Sequence, residues 1–126
     1  MKVKNNKNTG SSENTELVES ILHVGRADEK TIEGWKLADY KPQCLQVQIS
    51  ENEISYGYFK APERIVIAKA YTELVKGDIV KCGEIVFNNC WLDGDPRMKN
   101  VEDINLAACI QLTEVIQFKN TKLGKL

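Results

Sequence analysis

The residues of this chain whose types could support chemistry lie together in one stretch. It reads Phe87-Asn88-Asn89-Cys90-Trp91-Leu92-Asp93-Gly94-Asp95-Pro96 and combines a thiol, an indole and two carboxylates. A cysteine nucleophile needs a base, and a catalytic carboxylate pair must be held in a cleft. The only histidine, His23, is far away in the sequence. Aspartate beside glycine is typical of a turn, so we expect Asp93 and Asp95 in a solvent-exposed turn and assign no catalytic residue.

The cysteines favour the same interpretation. None of the four forms a C-x-x-C pair, so the closely spaced ligands of a zinc site are missing. The phosphate-binding, dinucleotide-binding and nucleophile-elbow glycine motifs are also absent from the sequence. We therefore expect no metal, no cofactor and four reduced thiols packed in a core, namely Cys44, Cys82, Cys90 and Cys109.

Composition limits the classes of function. The chain has 126 residues, of which 42% are hydrophobic and 28% charged, which fits one ordinary globular domain. Seventeen basic against eighteen acidic residues give a net charge of −1, which argues against nucleic-acid binding. No apolar run approaches the roughly 20 residues that span a bilayer, so we predict no membrane and a cytoplasmic location.

The chain begins with a polar segment. From Met1 to Glu16 only Met1 and Val3 are apolar, and asparagine, lysine and serine dominate. Such a segment buries too little surface to offset its ordering entropy. We predict a flexible arm over residues 1–16 and a single α+β domain over residues 17–126.

Helical periodicity accounts for most of that domain. We predict a short helical turn or two over Leu17, Val18, Ile21 and Leu22, and then a helix from Glu29 to about Tyr40 that Asp28 caps. Further helices are predicted from about Glu63 to Val75, from Ile79 to Cys90, and from Asn100 onward. Between the second and third of these four helices, Gly77 is placed as a left-handed cap and Asp78 as the next N-cap.

A change of period marks a β-hairpin between the first two longer helices. Leu45, Val47 and Ile49 alternate with polar residues, and after Glu51-Asn52 the apolar positions Ile54, Tyr56 and Tyr58 alternate in the same way. An isolated hairpin is unstable in water, so this one must pack on helices or extend a sheet from another copy. The predicted fold is therefore a hairpin packed on a bundle of three to four helices.

Protein binding is the function class that remains. An exposed hairpin edge is a pairing surface, and tryptophan is enriched in interface hot spots. The candidate protein-binding residues are on the hairpin, on the first long helix and in the arm: Tyr56, Tyr58, Trp35, Lys2, Lys4 and Lys7.

The order of these features also resembles a known family. The chain runs from Trp35-Lys36 and Tyr40-Lys41 through a hairpin that ends Tyr58-Phe59-Lys60-Ala61-Pro62. A helix, the Cys90-Trp91-x-x-Gly94-Asp95 segment and a lysine-leucine end follow. This resembles small proteins encoded by phages and prophages of gut Bacteroidales, similar to tail-assembly or virion morphogenesis proteins. The resemblance covers Thr31 to Leu126.

What the resemblance implies is a non-enzymatic protein that binds other phage structural or assembly proteins. It would be oligomeric or part of a larger assembly, located in the host cytoplasm during assembly or in the virion. Two alternatives stay open. One is a host-directed binding protein, such as an inhibitor of a bacterial defence enzyme, and the other is an enzyme that uses Cys90 with Asp93 or Asp95.

Overall fold

The computed structural model describes residues 20–116 and residue 125. The described part confirms the α+β class. Its elements, in chain order, are β1 (Leu22–Val24), α1 (Glu29–Leu37), β2 (Gln43–Ser50), β3 (Glu53–Phe59), α2 (Arg64–Val75), α3 (Ile79–Cys90), β4 (Trp91–Gly94), α4 (Arg97–Asn100), α5 (Glu102–Leu112) and a 3-10 turn (Thr113–Ile116).

The strands form a four-stranded sheet around β3. The predicted hairpin is present, with β2 antiparallel to β3 along one side. Two short strands share the other side of β3: β1 runs parallel to its first half, and β4 runs antiparallel to its second half. The ends of β1 and β4 meet where the backbone of Gly25 lies against that of Asp95. The contact leaves no room for a side chain, since a Cβ atom at Gly25 would be 2.3 Å from the amide nitrogen of Asp95. Gly25 also has a φ of +87°, a conformation that favours glycine.

A bulge in β2 sets the faces of the hairpin. Ser50 is opposite Glu53 across the turn, but the register shifts between Gln48 and Ser50, so that Val47 is opposite Ser55 rather than Tyr56. Because side chains alternate between the two faces of a sheet, a register shift of one residue changes which side chains of β3 share a face with the apolar side chains of β2. The apolar residues of the two strands therefore lie on opposite faces of the sheet, contrary to the single buried face that the alternation suggests.

The helices α3, α4 and α5 pack on the face that carries Leu45, Val47 and Phe59, and α2 packs against α3. The ring of Phe59 contacts those of Phe87 and Trp91, with centroids 5.1 and 5.4 Å apart. The helices α3 and α5 approach closely at Gly83, where a Cβ atom would be 1.7 Å from the carbonyl oxygen of Cys109. The buried core on this side comprises Phe59, Val66, Ala70, Cys82, Val86, Phe87, Cys90, Met98, Ala108, Cys109, Leu112 and Ile116.

The helix α1 lies on the opposite face of the sheet. Its Trp35 packs against Tyr58 with ring centroids 5.5 Å apart. Because α1 covers one face and the other helices cover the second, the five residues from Ser55 to Phe59 are all buried. The central strand therefore belongs to two apolar layers, whereas the sequence predicts only one.

The predicted helix caps are confirmed. The carboxylate of Asp28 accepts a 2.8 Å hydrogen bond from the amide of Thr31, and that of Asp78 accepts one of 3.0 Å from the amide of Lys81. Gly77 has a φ of +87° between α2 and α3, as expected for a left-handed cap. These signals are local in the sequence, which is why they could be recognised without the fold.

Several predicted boundaries are wrong. Leu22 belongs to β1 rather than to a helical turn, since it pairs with Glu53. The final helix is interrupted: α4 ends at Asn100 and α5 begins at Glu102, without a side-chain cap. The predicted arm, residues 1–16, and the first helical positions, Leu17 and Val18, lie outside the described residues, as does most of the lysine-leucine end.

Candidate functional site

The outer edge of β2 is the most distinctive surface of the described residues. The strand β2 pairs with β3 on one side, and no described strand pairs with its other side. It is eight residues long, from Gln43 to Ser50, and from Cys44 onward every second residue is exposed. The main-chain groups of such an edge are a template for pairing with another strand.

The hydrogen bonds of β3 show which residues of β2 present these groups. The carbonyl oxygen of Tyr56 accepts from the amide of Asp95 at 2.8 Å, and the amide of Lys60 donates to the carbonyl of Cys90 at 2.9 Å. Even-numbered residues of β3 therefore point their main-chain groups towards β1 and β4. Odd-numbered residues, such as Ser55 and Gly57, point theirs towards β2.

The partners of those odd-numbered residues in β2 are Gln43, Leu45 and Val47. Their amides and carbonyls face inward, so those of Cys44, Gln46 and Gln48 face outward along the free edge. The side chains of these three residues are exposed and share the sheet face that α1 partly covers. The edge thus offers three residues whose main chain and side chain are both accessible.

This edge lacks the usual protection against pairing. Exposed edge strands are normally blunted by charged side chains, proline or bulges. Although 28% of the residues in the chain are charged, none lies in β2, and Pro42 precedes the strand rather than interrupting it. The single bulge is near Ile49, at the end of the strand. Most of the edge is therefore regular and neutral, and no strand among residues 20–116 pairs with it.

A groove lies beside the first residues of the edge. Its volume is about 260 Å³, and it lies between β2 and the end of α5. Leu45 and Leu112 supply apolar surface and Glu114 a carboxylate; the other lining residues are Gln43, Cys44, Phe59, Gln111 and Val115. A strand added to the edge could place one side chain in this groove.

The structure brings together the predicted residues Trp35, Tyr56 and Tyr58, but mostly beneath the surface. Tyr56 and Tyr58 are 7% and 5% exposed. The hydroxyl of Tyr56 shares a 2.7 Å hydrogen bond with Nδ1 of His23, and that of Tyr58 accepts one of 3.2 Å from the amide of Ala27. These hydrogen bonds fix the β1–α1 segment to the sheet. The protein-binding role of the three residues stays a prediction.

The predicted lysines, Lys2, Lys4 and Lys7, lie outside the described residues, so their role also stays a prediction.

Arg26 covers the ring of Tyr56. Its guanidinium carbon lies 5.3 Å from the ring centroid, as in a cation–π contact. Arg26 is itself exposed on this face.

The prediction that Asp95 lies in a solvent-exposed turn is wrong. It is 1% exposed, and its carboxylate accepts a 2.8 Å hydrogen bond from the hydroxyl of Ser55. Arg97 pairs with Asp95 at 2.9 Å and with Glu53 at 2.6 Å. Burial on its own would raise the pKa of Asp95, but the hydrogen bonds and charge of Arg97, with the Ser55 hydroxyl, outweigh it and lower the pKa. Asp93 is exposed, as predicted, but it lies in β4 opposite Tyr58 rather than in a turn, and its carboxylate accepts a 2.9 Å hydrogen bond from the amide of Gly94.

The thiols are held in their protonated form. Burial raises the pKa of Cys82, Cys90 and Cys109, and that of Cys109 reaches about 11. Cys44 was predicted to be packed in the core, but the residue is exposed. Partial burial of its thiol nevertheless raises the pKa of Cys44 as well. A thiolate nucleophile requires the opposite shift. Among the described residues, no hydrogen bond joins Cys90 to Asp93 or Asp95.

The outward-facing set of Cys44, Gln46 and Gln48 was missed by the sequence analysis, although the hairpin edge was identified. The missing information was the register, which decides which main-chain groups point outward. The absence of charge in β2 was a readable signal of the same surface.

Two other features are absent from residues 20–116 and 125. None of their helices combines the length and the apolar composition that a membrane span requires. No group of three or more His, Cys, Asp or Glu side chains there is arranged to hold a metal ion.

The chain matches no protein-family model, no curated protein and no solved structure.

Proposed function

We propose that this protein is a non-enzymatic assembly protein of a phage particle that binds other phage proteins during virion or tail morphogenesis. It would act in the host cytoplasm, and its partners would be structural or assembly proteins. The observation that supports protein binding is the free, uncharged edge of β2. The assignment to phages rests on the resemblance of residues 31–126 to small morphogenesis proteins.

The chemistry of the edge suits an extended partner segment. Addition of a strand would satisfy the outward amides and carbonyls of Cys44, Gln46 and Gln48. Main-chain hydrogen bonds supply affinity in this mode, while alternate side-chain pockets supply specificity. The groove that Leu45 and Leu112 line is such a pocket.

The direct test is mass spectrometry of purified phage particles together with affinity capture from infected cells. Gln46→Pro removes the outward amide at the middle of the edge without removing a hydrogen bond to β3. Gln46→Thr is the matched control, because it changes the same exposed side chain and keeps the main-chain N–H group. We expect phage proteins to be captured by the natural chain and by Gln46→Thr, and to be lost with Gln46→Pro.

Capture of a host enzyme instead, with normal particles formed in its absence, would contradict the proposal and support the host-directed alternative. Equal capture by both variants in their folded form would exclude the edge as the binding surface. Circular dichroism of each variant establishes that it is folded.

The polar arm is the second expected contact. Deletion of residues 1–16 should leave the melting temperature nearly unchanged, because the segment is too polar to contribute a core. We expect the same deletion to abolish partner capture or incorporation into particles. A large loss of thermal stability with intact binding would refute this role.

A further inference from the structure

We infer that the free edge of β2 pairs with the same edge of a second copy of this chain, antiparallel about a two-fold axis at Gln46. This inference rests on the proposed use of the edge for protein binding and names a second copy as the partner of the free chain, which a strand of a phage protein would have to displace. The two four-stranded sheets would join into one continuous sheet of eight strands.

The absence of charge in β2 favours a second copy over other occupants. In a two-fold pair the residue on the axis faces its own copy, so a charge at position 46 would place two like charges opposite one another, and the other residues face residues of the same uncharged strand. The eight residues from Gln43 to Ser50 contain no charged side chain. An edge intended for a charged partner strand would gain from complementary charges, and β2 offers nothing to complement.

The outward main-chain groups determine the register. Directly opposite residues in an antiparallel pair must both be of the outward-facing type or both of the inward-facing type. An axis at Gln46 places Gln46 opposite its own copy and Cys44 opposite Gln48 of the second copy. This register uses all three outward-facing residues, whereas an axis at Leu45 or Val47 would use only two of them.

The side chains at this interface are compatible with the pairing. On one face the amide side chains of the two Gln46 residues meet and can donate and accept hydrogen bonds with each other. On the other face Leu45 and Val47, which are only half-buried in one copy, come beside the same residues of the second copy. Pairing thus covers apolar area as well as forming about six main-chain hydrogen bonds.

A charge-swap experiment tests both the partner and the register. Sedimentation equilibrium of the full chain should show a concentration-dependent dimer. Gln46→Lys and Gln46→Glu each place two like charges opposite one another, so each variant alone should dimerise up to about fivefold more weakly. An equal mixture of the two should recover dimerisation at least to the natural level, because the opposite charges then meet.

Gln46→Pro provides a stronger disruption, since it removes one inter-chain donor from each copy. We expect it to weaken the dimer by about tenfold or more, while Gln46→Thr should leave it nearly unchanged, because threonine keeps the main-chain amide and its hydroxyl can pair with its own copy across the axis. A natural chain that remains monomeric at high concentration would overturn the inference. Charge variants that dimerise as well as the natural chain would also overturn it. So would an equal mixture whose average molecular mass in sedimentation equilibrium is no higher than that of either variant alone.

Disulfide trapping gives a second readout that does not depend on affinity. In a Cys44→Ser background, Gln46→Cys should form a cross-linked dimer on mild oxidation, because opposite Cα atoms in this register are about 5.5 Å apart. Glu33→Cys, at an exposed position on α1, is the matched control and should remain monomeric. Equal cross-linking at both positions would contradict the inference.

The two proposals fail differently. If the chain is monomeric but Gln46→Pro loses its phage partners, the self-pairing is wrong and the proposed function stands. If the chain dimerises through Gln46 but neither the natural chain nor its variants bind phage proteins, the self-pairing stands and the proposed function is wrong.

Discussion

The hydroxyl of Ser55 donates a 2.8 Å hydrogen bond to the carboxylate of Asp95, and neither residue is more than 1% exposed. The two are forty positions apart in the sequence. The bond joins the middle of β3 to the segment between β4 and α4. Because Arg97 also pairs with this carboxylate, Asp95 is a charged link between the sheet and the last helices.

Replacing Asp95 with asparagine should destabilise the protein. The change keeps the volume but removes the charge that Arg97 and Ser55 bind, and we expect a loss of about 2 kcal/mol in the free energy of unfolding. Asp93→Asn is the matched control: Asp93 is exposed, and an amide oxygen can still accept from Gly94, so its effect should be within about 0.5 kcal/mol. Urea denaturation measures both. Equal effects would contradict the role of Asp95.

The pKa of Asp95 predicts sensitivity to acid. Its pKa in the folded protein is below its ordinary value of 3.8, so the ionised carboxylate stabilises the fold. This contribution is fully present above about pH 4 and is lost as the pH falls through the folded-state pKa. We expect the melting temperature to fall more steeply below pH 4 in the natural protein than in Asp95→Asn. Parallel profiles would show that other groups govern acid stability.

Gly83 should tolerate no side chain. A Cβ atom there would be 1.7 Å from the carbonyl oxygen of Cys109, so α3 and α5 must separate. We expect Gly83→Ala to cost about 3 kcal/mol or more in unfolding free energy. Gly34→Ala is a control of the same chemical type: it lies in α1 with nothing within 4 Å of the added methyl, and it should stabilise α1 by about 0.5–1 kcal/mol. Thermal denaturation separates the two, and similar effects would contradict the close helix packing.

Cys90 should behave as a core residue. Its side chain is fully buried, so Cys90→Ala should reduce the free energy of unfolding by about 1–3 kcal/mol without a specific loss of partner binding. Cys44→Ala, at an exposed position, should change it by less than about 0.5 kcal/mol. Denaturant unfolding and partner capture test the pair. Loss of a biochemical activity with stability intact would instead support the enzyme alternative.

Local signals in the sequence predicted local structure well. Asp28 and Asp78 cap helices, and Gly77 has a positive φ, because each interaction joins residues within one turn of the chain. The α+β class followed from the change of period between the hairpin and the helices. These features need no knowledge of how the elements pack.

Long-range features could not be predicted in the same way. The three residues of β1 are too few to show a period, and their partner is Glu53–Ser55 in a distant strand. Asp95 beside Gly94 is typical of an exposed turn, and only the fold brings Ser55 and Arg97 to it. The faces of the hairpin depended on a bulge near Ile49 that the alternating pattern does not reveal. The candidate edge was found as a hairpin edge, but its outward residues needed that register.

The arrangement of β1 and β4 along one side of β3 has a consequence for the growing chain. During synthesis, β1, β2 and β3 emerge well before Trp91–Gly94. Until then the second half of β3 has main-chain groups open on the side that β4 later fills, in addition to the free edge of β2. A nascent or truncated chain that ends before residue 91 is therefore open to pairing on both sides of the hairpin, and such species are prone to aggregation. The strand β4, which is synthesised late, therefore closes one of these two sides.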